Sequence, residues 1–311
     1  MSQVFVLPYV NPDTDGVCSA IAYSFWRTKV MKENASPVIF GKPDKETLFV
    51  LKFSNIVIPP TLNNLDATNR YIIVDTHQKN QLPDNFPYNS VEEILDHHPS
   101  GDQDAFPNAT IRNEQVGAVA TLIAELFQQN AQSINTQMAA LLYSAIISNT
   151  LDLNAPTTCN RDRSMAEWLL SIAELPQSYV DQMFTARSDI SDSTTMEILS
   201  NDYKEFDFSG EKVGMSQLET TDMASFLNRN DINGAIERIS KEKNLDHYVF
   251  NCADIRCQKG VLIAVSHHTK EIISSIVPGA KFQGNIAHFD RILLRKSDLI
   301  SQFKEYFSAN R

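Results

Sequence analysis

Acidic and imidazole side chains in this 311-residue chain bunch at three places. Asn11-Pro12-Asp13-Thr14-Asp15-Gly16 puts two carboxylates two residues apart in a turn. Asp75-Thr76-His77 follows one short apolar run, and Asp96-His97-His98 follows another. A fourth polar segment, Ser148-Asn149-Thr150, closes a long apolar stretch. Carboxylates mixed with imidazoles suit Mn²⁺, Co²⁺ or Zn²⁺ better than Ca²⁺, which takes oxygen ligands alone. The spacing of Asp13 and Asp15 lets one turn present two carboxylates to different ions. A bridged two-metal site, with ions about 3.5–4 Å apart, can be assembled in that way. A single Asp-x-Asp reads equally well as a cap for the next helix. A vicinal His pair after Asp at a strand end is more specific, and all three segments in this order more specific still.

These groups must be positioned by the elements before them. Residues 4–7, 37–40, 55–58, 71–74 and 93–95 are short apolar runs that read as strands. Helical spacing begins at Val17 and continues through Ala20, Ile21 and Phe25. Helical patterns recur at 45–52, 116–129, 136–148 and 161–173. Strands alternating with helices predict an α/β fold with a mainly parallel sheet flanked by helices. In open parallel sheets the ligand site lies outside the carboxyl ends of the strands. The three acid-bearing segments should therefore converge on one crevice, within reach of Ser148-Asn149-Thr150.

The stretch Ala186–Thr195 is polar, lacks aromatic residues and carries turn formers, so a linker is expected there. The division is then 1–186 for a metal-binding catalytic domain, 187–195 for the linker and 196–311 for a smaller α/β domain. In the latter, strands are expected at 212–217, 248–255, 261–266 and 291–294, and helices at 221–242, 268–276 and 298–307. His247, His267, His268 and His288 read as surface residues there.

Composition narrows the function classes. Lys and Arg number 27 against 38 Asp and Glu, a net charge of −11, and the short basic cluster from Arg291 to Lys296 is no nucleic-acid footprint. Ten glycines argue against glycine-rich phosphate loops. No segment approaches the roughly 18 apolar residues of a membrane span, and the N-terminus reads as a buried strand, not a signal peptide. Four scattered cysteines without a CxxC pair suggest reduced thiols in the cytoplasm. The expected partner is a small molecule, with no nucleic acid and no membrane; a homodimer is compatible with these features.

NPDTD, Asp75 and the DHH at 96–98 resemble the DHH phosphoesterases, and within them the manganese-dependent family II inorganic pyrophosphatases. The likeness runs nearly end to end, since GKPDKETLFVL, VGAVATLI, SAIISNT and Arg295-Lys296 fall in the same order. The GGGH signature of the nuclease-like relatives is absent. The resemblance implies a DHH domain, a hinge and a DHHA2-like C-terminal domain that closes over the substrate. It implies one or two ions, Mn²⁺ with Co²⁺ or Mg²⁺ as alternatives. Asp13 and Asp75 would hold one, and Asp15, Asp75 and His97 the other, with Asp75 bridging. His98 would contact the phosphate and serve as the acid for its leaving oxygen, while Lys204, Arg295 and Lys296 would neutralise substrate charge. The activity implied is hydrolysis of a phosphoanhydride, pyrophosphate first, by a metal-activated water. Exopolyphosphatase or small phosphodiesterase chemistry, or a non-catalytic phosphate-binding protein, are the alternatives.

Two positions depart from the family pattern. Tyr9 stands where the family has His, and Asn149 where it has Asp. Each change removes a ligand of the family pattern, one from each metal; Asn149 can still offer a carbonyl oxygen as a weak metal ligand, but no charge, so weaker metal retention is expected. Exopolyphosphatase relatives also lack the first His, with Asn there. The usual Ser before Arg-Lys is replaced by Leu294. His77 and Asp152, near the affected ligands in sequence, are candidate substitutes.

Overall fold

The computed structural model describes residues 3–62, 64–129, 134–293 and 295–309; Leu294 and the side chain of Lys296 lie outside the described residues. The chain divides into two compact units, Met1–Arg187 and Ser188–Arg311. Among the described residues no helix is long and apolar enough to cross a membrane.

The first unit is built on five parallel strands: β1 (Val4–Leu7), β2 (Ala35–Pro37), β3 (Arg70–Val74), β4 (Val91–Asp96) and β5 (Thr110–Asn113). Their spatial order is β2-β1-β3-β4-β5. Strand β1 lies between β2 and β3, so the chain leaves it in one direction and continues from β3 in the other. That reversal is the switch point at which open parallel sheets bind ligands. The register aligns Leu7 with Ile73 and Val74 with Leu95, bringing the carboxyl ends of β1, β3 and β4 level.

Alternation along the strands gives the sheet two buried faces. Val4, Val6, Ile72, Val74 and Leu95 pack in one core with helices α1 (Thr14–Lys29), α3 (Val119–Gln129), α4 (Thr136–Asn149) and α5 (Asn160–Ala173). Leu7, Tyr71, Ile73 and Ile94 join Phe86 and Phe106 in a second core on the opposite face. Helices α2 (Lys45–Phe53) and α6 (Tyr179–Arg187) complete the unit.

The second unit opens with α7 (Thr195–Asn201). It carries a six-stranded sheet in the order β10-β11-β9-β8-β7-β6. Its strands are β6 (Tyr203–Phe208), β7 (Glu211–Thr220), β8 (His247–Asp254), β9 (Lys259–Ile263), β10 (Phe282–Gln283) and β11 (Ile286–Phe289). Only β7 and β8 pair in parallel; the other pairings are antiparallel. Helices α8 (Met223–Leu227) and α9 (Ile232–Glu242) cover one face, and α10 (His267–Ile276) and α11 (Ser301–Ala309) the other.

Several expected elements differ. Residues 55–58 form no strand: Asn55 is left-handed (φ 52°) and the Ile56 N–H bonds to Leu51 O, ending α2. Pro59 and Pro60, which follow, lack ladder donors. The run at 37–40 contributes only Pro37 to β2, plus a bridge between Val10 and Phe40. The helix at 221–242 is two helices, because Asn228-Arg229-Asn230-Asp231 is a poor helix interior. Arg229 in this break donates to the Ile190 and Ser193 carbonyls. Residues 291–293 are irregular, so the strand expected at 291–294 is absent from them. The unexpected strands β5 and β6 mix polar with apolar residues and lack a strong apolar run. His247 is buried, 2% exposed, against the expectation of a surface residue, because β8 is covered on both faces; His267, His268 and His288 are exposed.

Candidate metal centre

Strand β3 ends at Val74, and Asp75 follows in the left-handed region at φ 68°. Asp tolerates this better than most residues, and the turn aims a carboxylate that is only 2% exposed across the strand ends. Gly16, in the first turn of α1, permits the approach: a Cβ there would lie 2.9 Å from Pro8 Cβ and 3.4 Å from an Asp75 oxygen.

Strand β4 delivers Asp96, which is fully buried and accepts four hydrogen bonds. Its Oδ1 takes the backbone N–H groups of His97 (2.7 Å) and His98 (3.2 Å) and the His98 Nδ1 (2.8 Å). Its Oδ2 takes His77 Nδ1. Burial pushes the Asp96 carboxyl up, but the bonds from His98 and His77 outweigh it and hold the group below the ordinary carboxylate range. The Asp96 hydrogen bond in turn raises the pKa of His98.

The His97 tautomer follows from its neighbours. Its Nδ1 lies 3.0 Å from the Val116 carbonyl, which can only accept, so Nδ1 carries a proton and the neutral ring keeps its lone pair on Nε2. That lone pair lies 3.2 Å from Asp75 Oδ1, a buried oxygen with no hydrogen-bond donor. Two acceptors this close need a proton or a cation between them. The spacing fits adjacent ligands of one small divalent ion, each at about 2.1 Å. Asp75, His97 and His98 each offer a ligand atom within 4.8 Å of the others. Burial, then the charges of Asp15 and Asp13, hold the Asp75 carboxyl well above its ordinary pKa.

The remaining candidates are placed as follows. Asp13 caps α1, its Oδ1 accepting the Gly16 N–H at 3.1 Å, and the Tyr9 hydroxyl accepts the Asp13 N–H at 3.1 Å. Asp15 is buried, with Oδ2 4.0 Å from His97 Nε2, and burial is the main cause that lifts its pKa to about 6. Asn149, the last residue of α4, turns its amide nitrogen toward Asp15 Oδ2 (3.3 Å), His97 Nε2 (3.4 Å) and Gly117 O (2.9 Å). His77 is buried and committed to Asp96, while Asp152 is exposed in the left-handed turn Leu151–Leu153. In the second unit Lys204 is exposed on β6. Arg295 bonds through NH1 to Asp202 Oδ2 and to Asp202 O, each at 2.9 Å.

Two supporting carboxylates escaped the sequence reading. Asp96 was visible as the first residue of Asp96-His97-His98, but its work as a hub depends on His77 folding back onto it. Asp162 is fully buried and accepts from Gly117 N, Thr121 Oγ1 and Cys159 N, pinning the turn that carries the Val116 carbonyl. Its sequence signal is the acid three residues after Cys159, at the start of α5.

Acids and imidazoles gathered at a switch point, with basic residues in a second sheet domain, define a two-domain phosphoesterase class. Residues 3–146 match the DHH family N-terminal domain and residues 181–306 the DHHA2 domain. The chain belongs to the family of manganese-dependent inorganic pyrophosphatases. A relative of that name from Methanothrix thermoacetophila is 32% identical over 98% of both chains. A Clostridium acetobutylicum relative named as a probable member is 32% identical over 96% of both. A solved Methanococcus jannaschii structure assigned to the family II inorganic pyrophosphatases has TM-score 0.67 and 28% identity, covering 98% of this chain and 99% of that one.

Proposed function

We propose that the chain is a metal-dependent phosphoanhydride hydrolase that converts inorganic pyrophosphate and water to two phosphates, with Mn²⁺ as its metal and Co²⁺ or Mg²⁺ as alternatives. The observation that carries this reading is the pair of facing acceptors, Asp75 Oδ1 and His97 Nε2, 3.2 Å apart and buried at the sheet's switch point. Full-length relatives named manganese-dependent inorganic pyrophosphatases support the substrate and the metal.

Asp75 and His97 would hold the metal, with Asp13 and Asp15 beside them as further anionic groups. A divalent ion bound there acidifies a water and withdraws charge from the phosphoryl oxygens. Val116 O fixes the His97 ring so that Nε2 keeps its lone pair. Asp96 accepts the Nδ1 proton of His98, which leaves His98 Nε2 to hold a proton for the leaving phosphate. The raised pKa of His98 suits that task near neutral pH. Lys204, Arg295 and Lys296 are assigned to the substrate's phosphates, Arg295 exchanging Asp202 for a phosphate oxygen. The same reading divides the chain into a catalytic domain at 1–186, a linker at 187–195 and a substrate-binding domain at 196–311. It also takes the chain to act in the cytoplasm as a homodimer, which sedimentation velocity and cell fractionation check.

The test is phosphate release from pyrophosphate, tripolyphosphate and a dinucleotide, with Mn²⁺, Co²⁺ or Mg²⁺ added to chelator-treated protein. Metal-stimulated turnover, fastest on pyrophosphate, is the expected result. Preference for tripolyphosphate would move the substrate to longer polyphosphates. Phosphate binding without turnover on any substrate would support the non-catalytic reading, which the substituted Tyr9 and Asn149 favour.

A further inference from the structure

We infer that this chain holds one divalent ion, not a bridged pair, because the Asn149 amide closes the position beside Asp15 to a second ion. The inference rests on the metal-dependent reading above and deepens it. The facing pair Asp75 and His97 supplies one open gap. The question is whether the neighbouring carboxylate, Asp15, is open as well.

It is filled. Asp15 Oδ1 accepts from Ser19 Oγ at 3.1 Å and from the Ala120 N–H at 3.0 Å. Asp15 Oδ2 accepts from the Val119 N–H at 2.8 Å and from Asn149 Nδ2 at 3.3 Å. An ionised carboxylate offers about four lone-pair positions, and all are taken. Two of the donors are N–H groups at the first turn of α3, which have no partner inside their own helix. Asp15 therefore serves as a cap supplied by a distant segment, and withdrawing it would strand two buried donors.

The orientation of the Asn149 amide is dictated by chemistry. Its nitrogen faces Gly117 O at 2.9 Å, Asp15 Oδ2 at 3.3 Å and His97 Nε2 at 3.4 Å, which are all acceptors when the His97 ring is neutral. Turning the amide over would set its oxygen against three acceptors, so the nitrogen stays inward. One amide hydrogen serves Gly117 O, and the other points into the space between Asp15 and His97, where a cation would have to sit. It does a cation's work there as a neutral donor. The family pattern offers an anionic ligand at this position; Asn149 offers none.

The other flank lacks the imidazole of the family pattern. Tyr9 is a neutral phenol whose oxygen accepts the Asp13 N–H, and Asp13 spends Oδ1 on the α1 N-terminus. Asp75 Oδ1 is the one oxygen of these three carboxylates that is buried without a donor. Repulsion between two divalent ions about 4 Å apart is four times that between unit charges at the same distance. With Asn149 uncharged, one negative charge fewer than in the family pattern is left to offset it.

The test counts ions by a readout independent of activity. Full-length chain stripped with a chelator is titrated with Mn²⁺ and followed by electron paramagnetic resonance and elemental analysis. One ion per chain is expected at saturation, with the resolved hyperfine pattern of an isolated ion. Asn149→Asp removes the inward donor and adds a carboxylate, so a second ion should bind and the spectrum should become exchange-coupled. A wild-type chain that binds two coupled ions overturns the inference, as does a folded Asn149→Asp protein that stays at one. If that variant does not fold, the wild-type count still decides. Binding of no ion would instead sink the metal-dependent reading, an outcome separate from a count of two.

Discussion

The first unit keeps its chemically important groups at the carboxyl ends of parallel strands, with Asp75 and Asp96 buried at 2% and 0% exposure. The second treats its candidate cations unequally, with Lys204 exposed on the edge strand β6 and Arg295, its side chain 12% exposed, paired with the half-exposed Asp202. The difference fits what each is proposed to bind. A small ion needs ligands locked in place before it arrives, and burial with dedicated hydrogen bonds locks them. Phosphate oxygens are larger and variable in position. A solvated Lys204 can follow them, whereas Arg295, largely desolvated, keeps Asp202 as a partner until a phosphate replaces it. Within the first unit the same contrast recurs on a smaller scale. Asp96 and Asp15 are saturated with donors and act as scaffolding, whereas Asp75 keeps an oxygen free for chemistry.

The largest expected effect comes from emptying that free position. Asp75→Ala should lower Mn²⁺ affinity below detection and reduce any phosphate release by at least about 10³-fold, with the circular dichroism spectrum retained. Undiminished turnover would mean that Asp75 is no ligand. Next is the scaffold. Asp96→Asn removes the charge and turns one of the two acceptor oxygens into a donor, so His98 or His77 loses its partner and metal affinity or turnover should fall by about 10–100-fold. An effect as large as that of Asp75→Ala would erase the distinction drawn between ligand and support.

A smaller change is expected in the second unit. Arg295→Ala should raise the KM for pyrophosphate roughly tenfold, the worth of one charge-assisted hydrogen bond, and leave the Mn²⁺ count unchanged. Loss of bound metal in that variant would show that Arg295 acts on the metal site and not on the substrate.

The smallest effect is on stability, and its sign should differ between the units. In the first, burial holds Glu46 and Glu93 above their ordinary pKa of 4.5. Their stabilising share is present below that value and is lost as pH rises through the raised values. In the second, burial holds His247 below its ordinary pKa of 6.5. The unfolded chain then takes up the proton first, so stability falls as pH drops below about 6.5. Acidification from pH 7 to 5 in the presence of chelator should therefore favour the first unit over the second. Trp26 and Trp168 both lie in the first unit, so tryptophan fluorescence during heating reports on it, and amide exchange in β8 reports on the other. Equal destabilisation of both would contradict these environments.

Much of the first unit was legible because its strands are short apolar runs and its helices carry long apolar faces, as in residues 71–74 and 136–148. The meeting of Asp75 with His97 was also legible, since both follow strands and parallel strands end at one edge. Strands β5 and β6 were not, because their polar residues give no clean period. Nor was the burial of His247, which depends on α10 and α11 covering β8.

By itself, then, the sequence determined the alternation of strand and helix, the position of each acid and imidazole just after a strand, and the two departures Tyr9 and Asn149. These are properties of local pattern and of residue type, which need no knowledge of neighbours. Tertiary structure alone decided which carboxylate is free. Asp13, Asp15, Asp75 and Asp96 are chemically identical, yet their donors come from as far as 134 residues away, as with Asn149 on Asp15. Hydrogen-bond capacity is exhausted by contacts made in space, so only the folded chain distinguishes a helix cap from a metal ligand.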